Sequence, residues 1–315
     1  MAWSIPASVI PEEVAGIRAR LAPPPAIRPG REPESPGLWL AAWRRLIKKP
    51  AAVISLVYIV GLILVAVFAP YLAPFKFDLQ NYDVVRLNPG SPGHLLGTDA
   101  LGRDILSRMI YGTRVSMTVA GVVLAIEVVA GMTLGSLAAY YGGWADMLIM
   151  RLTDIMFAFP DLLLAILIMG IRGPGLGNLF FAISVVSWPG LARLVRGQVL
   201  ALKESEFVLA ARSLGTGDSR IILRHLVPNV LSPVLVSATQ GLAGVILTEA
   251  SLSFLGIGIR PPQPSWGSMI NDMISFVYSQ PVLLIGPSVI LACTVLAFNF
   301  LGDGLRDALD PRLKH

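Results

Sequence analysis

The chain alternates between long stretches without a single charge and short stretches dense in them. No Asp, Glu, Lys or Arg occurs between Lys49 and Lys76, or between Asp272 and Asp303. A helix needs about 20 apolar residues to cross hydrocarbon, so either gap can hold a span. Apolar runs continued along the chain predict six spans, at 51–71, 115–140, 152–171, 176–192, 230–255 and 282–301. The third and fifth are less clean, because Asp154, Asp161 and Glu249 fall inside them. The expectation is an all-α polytopic membrane protein with six transmembrane helices.

The segments between the spans differ in kind. Residues 1–36 hold eight prolines and few large apolar groups, a composition that cannot offset the entropy of ordering and predicts a flexible, water-exposed tail. In 37–50, Trp39, Trp43, Leu46 and Ile47 recur at helical spacing beside Arg44, Arg45, Lys48 and Lys49. That pattern predicts a short helix lying in the headgroup layer, its cations snorkelling to lipid phosphate. Pro50 turns the chain into the membrane domain, 51–315. Two connections are too long and polar to be plain links: an outer loop, 72–114, and an inner loop, 193–229. Of the 25 Lys and Arg, 18 fall on the side of the N-terminus when six spans are drawn, which places both termini in the cytoplasm.

Composition agrees with the pattern. Only 14% of residues are charged and mean hydropathy is +0.68, whereas soluble domains carry about a quarter charged residues. The net charge of +5 is not gathered into a basic patch with interleaved aromatics, so nucleic acid is not an expected partner. The lone Cys293 forms no disulfide within the chain and reads as a small buried apolar residue. No apolar segment followed by a small-residue cleavage site opens the chain, so no removable signal peptide is expected.

Glu127 is the charge placed most surely inside a span. An acid at the bilayer centre costs about 3 kcal/mol, and ten Leu, Ile and Val at ~0.5 each return about 5. The helix therefore inserts, and Glu127 stands as a candidate for translocation or for packing, as does Glu249. Gly131 and Gly135 in the same span permit close helix approach. The chain has no GxxxxGK[ST] phosphate loop, no HExxH, no GxSxG and no His/Cys cluster with metal spacing. No catalytic, cofactor or metal residue is therefore expected on it, and free energy for active transport must come from another subunit.

The inner loop shows where such energy could enter. Phe207, Ala210, Ala211 and Leu214 form one apolar stripe, with Ser205 to cap the helix start and Glu206 in its first turn. Gly215 suits the left-handed position that ends a helix. Asp218 or Ser219 can cap a second helix through Arg220 and Arg224 to His225, stopped by Pro228. In the outer loop, Asp104 and Arg108 at i, i+4 support a short helix capped by Asp99 or Thr98. Ion pairs holding a loop together and a role in handling substrate are equally consistent with that block.

The inner loop also resembles the EAA loop of bacterial ABC-importer permeases. It reads Leu209-Ala210-Ala211-Arg212-Ser213-Leu214-Gly215, with Pro228 further on and Leu209 standing where that family has Glu. Three more blocks resemble the dipeptide/oligopeptide/nickel permeases: Gly97-Thr98-Asp99-Ala100-Leu101-Gly102-Arg103-Asp104 with Arg108, Glu249 to Gly256 with Pro264-Ser265-Trp266-Gly267, and Asn299 to Asp307. The likeness runs from about Trp43 to Lys314. It implies a C-type permease with the type I ABC-importer fold in a prokaryotic inner membrane. It implies as partners a homologous permease, two ATP-binding subunits that use ATP and Mg, an extracytoplasmic substrate-binding protein and the surrounding lipid. Glu206, Phe207, Ala210, Ala211, Leu214, Gly215, Arg224 and Pro228 would meet the ATPase. Asp99, Arg103, Asp104 and Arg108 would form the outer motif. Peptides are the expected cargo, nickel or a nickel complex the alternative. A passive channel or membrane scaffold is a further class, separable because it needs no ATPase, and an intramembrane enzyme lacks a paired nucleophile and base.

Overall fold

The computed structural model describes residues 38–310; the Pro-rich segment 1–36 and the residues after Asp310 lie outside that range. Among the described residues all regular structure is helical, apart from two isolated bridges in the segment before the second span. α1 spans Leu38–Leu46 and α2 Pro50–Leu72, with Pro50 in the first turn, where its missing N–H costs nothing. The chain continues through α3 (Ile105–Tyr141), α4 (Gly143–Phe157), α5 (Asp161–Arg172), α6 (Leu176–Leu202) and α7 (Glu206–Ser213). α8 (Asp218–Ile221), a π-helical turn (Ile222–Leu226) and α9 (Val227–Phe254) follow without interruption, then α10 (Trp266–Ile274) and α11 (Val282–Leu309).

Five helices are long and apolar enough to cross a membrane: α2, α3, α6, the run Asp218–Phe254 and α11. The straight third helix expected over 152–171 does not form. α4 and α5 meet at 89° across 158–160. Pro160 explains the break, since it lacks an N–H and pushes Phe159 out of the helical region. Asp161 then falls in the first turn of α5, where the helix dipole favours an acid.

α3 is the spine of the bundle. Its glycines allow α6 to lie almost against its backbone. A Cβ on Gly131 would stand 2.8 Å from Leu191 Cβ, and one on Gly135 2.4 Å from the Ala192 carbonyl. Ala139, Tyr140, Leu191, Val195, Val199, Ile221, Leu226 and Val230 continue this contact as one buried cluster. A second cluster joins α2, α3, α9 and α11 through Ile59, Ala120, Ile246 and Phe298.

The spans also run longer than the apolar runs suggested. α3 begins ten residues before 115, and α6 ends ten residues after 192. Arg193 and Arg196 thus belong to α6 and hold α4 in place. Arg196 grips Asp146 with two nitrogens, Nη2 at 2.6 Å from Oδ2, and Arg193 reaches Asp154 at 2.8 Å while lying over the Phe157 ring. Near the start of the membrane domain Lys49 pairs with Asp307, and Arg45 donates to the Asp310 carbonyl.

Candidate functional site

The segment 203–217 carries the first candidate. α7 is short and ends in a full Schellman motif: Gly215 N–H donates to Arg212 O (2.9 Å) and Thr216 N–H to Ala211 O (3.1 Å), with Gly215 at φ +76°. The stripe expected on α7 is divided. Ala211 turns inward with Val208, 8% and 0% exposed, whereas Phe207, Leu209, Ala210 and Leu214 face outward. Ala211 is therefore not on a face open to a partner, because residues 208 and 211, three apart, share the side packed on the chain's own bundle. Leu214, 86% exposed, is the most prominent of the outward residues.

Other details of this loop depart from expectation. Ser205 occupies the N-cap of α7, but its hydroxyl turns back to the Leu202 carbonyl and leaves the helix N–H groups uncapped. Gly217, not Asp218 or Ser219, precedes the second helix, and the Asp218 carboxylate instead accepts from the Tyr140 hydroxyl (2.6 Å) at the end of α3. Pro228 does not stop that helix. Val227 N–H reaches back five residues to Ile222 O, so the backbone passes through one wide turn and enters α9 with Pro228 in its first turn. Glu206 and Arg224 are exposed.

The two acids within spans have different surroundings. Glu127 is 7% exposed, faces Gly241 of α9, and has no hydrogen-bond or ion-pair partner among the described residues. Glu249 is fully buried and accepts from the Ser116 (2.9 Å) and Ser253 (2.8 Å) hydroxyls, joining α9 to α3. Glu127→Gln is expected to keep uptake within about twofold of the parent, because the amide is isosteric and no contact is lost. Glu249→Leu is expected to lower the thermal stability of the purified chain, because two buried hydroxyls lose their acceptor at about 1–3 kcal/mol each. Uptake and melting of the two variants, side by side, check the contrast.

At the α10 end of the bundle the structure gathers all four residues of the outer motif. Asp104, not Asp99 or Thr98, caps the helix that follows, and that helix is α3 itself, so the short separate helix expected there does not form. Ser107 N–H and Oγ donate to Asp104 Oδ2 (2.8 and 2.7 Å), and its other oxygen meets His94 Nδ1 (2.8 Å). Asp99 accepts from the N–H groups of Leu101 and Arg103 and from Arg103 Nε (2.6 Å). The expected Asp104–Arg108 pair is replaced: Arg108 lies 3.6 Å from Asp99 and 3.1 Å from Asp272 on α10, which also accepts from Arg103 (3.3 Å). Burial pushes the Asp272 carboxyl above its ordinary value, and Arg108 and Arg103 oppose that shift. Asp99, Arg103, Asp104 and Arg108 are all at most 6% exposed. Asp272, more than 160 residues from either arginine, was the member of the cluster that no local pattern could reveal. The second elbow of this end is as tight: a Cβ on Gly267 would stand 2.2 Å from the Ala250 carbonyl, so α10 starts directly on α9.

Comparison with known proteins places this architecture. Residues 131–315 match the family described as "Binding-protein-dependent transport system inner membrane component". Residues 37–89 match "N-terminal TM domain of oligopeptide transport permease C". The chain is 46% identical over 299 residues to the glutathione transport system permease protein GsiD of Pectobacterium atrosepticum, covering 94% of this chain and 98% of that protein. It is 45% identical over 276 residues to the dipeptide transport system permease protein DppC of Alkalihalophilus pseudofirmus, covering 88% and 90%. Among solved structures, a chain of the MetNI methionine ABC transporter in an inward-facing conformation superposes with a TM-score of 0.54 at 18% identity, covering 65% of this chain and 98% of that one. At that identity the likeness concerns the fold alone. Five long apolar helices with a sixth bent pair, a short helix closed by Gly215 and an extended match on both sides of it lead to one conclusion: the chain belongs to the binding-protein-dependent transport system inner-membrane components, the permeases of ABC importers.

Proposed function

We propose that the chain is one of two membrane-spanning halves of an ATP-driven importer of short peptides. It works beside a homologous permease, two ATP-binding subunits on the cytoplasmic face and an extracytoplasmic substrate-binding protein. The observation that carries this reading is the outward apolar rib of α7. Phe207, Ala210 and Leu214 stand free of the bundle on a rigid helix, closed by Gly215 and joined to the membrane helix that starts at Asp218. A groove on an ATPase can grip such a rib, and Tyr140 passes the movement of the loop to α3. Substrate then crosses by alternating access, a two-state rearrangement biased by ATP binding on the partner subunits. ATP and Mg stay on those subunits, and this chain supplies no catalytic group.

Peptide cargo is supported by the named cargoes of the similar permeases, glutathione and dipeptide. The test is reconstitution of the full complex in liposomes. Uptake of a labelled dipeptide or tripeptide should require ATP inside and binding protein outside. Uptake of nickel instead of peptide sinks the cargo reading, and uptake without ATPases would mean a passive channel.

Orientation follows the distribution of basic residues, with α7 and both termini in the cytoplasm. A reporter active only in the cytoplasm should work when fused after Leu202 or His315 and fail near Asn88. Activity at Asn88 reverses the assignment.

A further inference from the structure

The open face of α3 differs from that of its neighbour α2. Outward positions of α2 are large and apolar: Ile54, Val57, Leu64, Val67 and Phe68 are between 49% and 70% exposed, as a lipid-facing helix requires. The outward positions of α3 are mixed: Arg114, Thr118, Gly121, Ala125 and Thr133 are charged, small or hydroxyl-bearing, whereas Ile126, Val129 and Tyr141 are large. The charged and small positions gather in the half of this face that holds Arg114, Thr118 and Gly121. Arg114 stands nearest its α10 end, nine residues and about 14 Å along the helix from Ile105.

Arg114 has no acidic, hydrogen-bonding or aromatic partner for its guanidinium among the described residues. Of the other arginines of this end only Arg260, exposed in the segment before α10, is likewise without such a partner among the described residues. Arg103 and Arg108 are matched by Asp99 and Asp272, and Arg86 and Arg172 lie over the rings of Phe276 and Phe181. Arg114 instead borders a cavity of about 360 Å³ walled by Phe77, Tyr111, Thr118, Leu176 and Gln263. Four separate parts of the chain build it: the segment after α2, α3, the start of α6 and the segment before α10. The Phe77 and Tyr111 rings pack together at 4.8 Å.

We propose that this cavity is a receiving site for a carboxylate of the peptide cargo, with Arg114 as the charge partner and the amide of Gln263 and the hydroxyl of Tyr111 as auxiliary donors; the Thr118 hydroxyl already donates to the Arg114 carbonyl. The proposal rests on the peptide reading above. A guanidinium offers a planar fork that matches a carboxylate with two parallel hydrogen bonds. An aromatic and aliphatic wall lowers the local dielectric and strengthens the pairing. Every free peptide presents a carboxylate, so such a site would accept varied side chains while orienting the chain. A lipid phosphate is the other anion that could meet Arg114, and the test separates the two.

The experiment uses the whole importer in liposomes, with Cys293→Ser as the background. Arg114→Cys is added and the new thiol is treated from outside with membrane-impermeant thiosulfonates, one carrying a trimethylammonium group and one a sulfonate. Arg114→Cys is expected to lower peptide uptake at saturating loaded binding protein by roughly tenfold or more. The cationic reagent should restore a large part of it, the anionic one none, and loaded binding protein should slow the labelling. Unchanged uptake in Arg114→Cys, or equal restoration by both reagents, overturns the proposal. A thiol that neither reagent reaches overturns it as well, since a receiving site must be open to water, and labelling that loaded binding protein does not slow assigns Arg114 to lipid phosphate and overturns it. If the Cys293→Ser parent itself takes up no peptide, the cargo reading has failed first.

Discussion

An importer carrying Gly215→Val is expected to insert and assemble its membrane domain at the normal level and to lose cargo-stimulated ATP hydrolysis. Gly215 has φ +76°, and no atom lies within 4 Å of the place a Cβ would take. The conflict is therefore confined to the backbone, where a left-handed conformation costs an ordinary residue about 1–2 kcal/mol. The chain can relieve that strain only by opening the Schellman turn, which re-aims α7 relative to the helix beginning at Asp218. Asn tolerates the left-handed region better than other residues with a side chain, so Gly215→Asn should retain most of the stimulation. Leu214→Asp tests the rib directly, since an 86% exposed side chain contributes little to the fold of this chain. It should leave insertion intact and weaken ATPase docking, as should Ala210→Arg. Leu209→Glu, which installs the residue of the resembled loop, should be neutral or mildly favourable. Full stimulation and full uptake in Gly215→Val and Leu214→Asp together would make the loop a bystander.

The second large effect belongs to the opposite end of the bundle. Asp99→Ala is expected to reduce the folded, membrane-integrated protein severely. Asp99 is 2% exposed and stands between Arg103 and Arg108, themselves buried. Breaking a buried ion pair from one side costs about 3–5 kcal/mol, because the abandoned charge cannot regain water. Here two arginines would be left with Asp272 alone, and Arg108 already has Nε and Nη1 without hydrogen-bond partners. Asp272→Asn should cost less, since its side chain is 39% exposed and water can reach what it leaves. The double variant should be more destabilised than the sum of the two, because both carboxylates serve the same arginines and each single loss leaves the other acid to cover part of it. Thermal melting of the purified complex in detergent measures all three. Additive losses would show that the arginines do not share their partners.

Much of this architecture could be read from residue order. The apolar runs located the five long crossings, the Gly131/Gly135 spacing announced the tight seam with α6, and Gly215 announced a left-handed turn. Features that escaped fall into two physical kinds. Some were local and legible in principle: Pro160 beside Asp161 marks the break between α4 and α5, but the hydropathy on either side outweighed it. Ala211 was assigned to the wrong face because small apolar residues fit a buried seam and an open rib equally well. Others were not local at all. The pairing of Arg103 and Arg108 with Asp272, of Arg196 with Asp146, and of Tyr140 with Asp218 depends on helices brought together by the whole fold, and spacing carries no trace of it.

The wide turn at Ile222–Leu226 governs the angular phase of everything above it. Ile222, Leu226, Val230 and Val234 are buried at intervals of four, whereas a regular helix turns 3.6 residues at a time. A strictly regular helix would rotate such a row by about 40° at each step, carrying Val234 away from the seam that Ile222 begins. One loosened turn absorbs part of that drift and keeps the row on α3 and α6. Deleting a single residue between Ile222 and Leu226 should therefore act like turning a key: about 100° of rotation applied to the whole of α9, including Gln240 and Glu249, with no change in its length across the membrane beyond one residue.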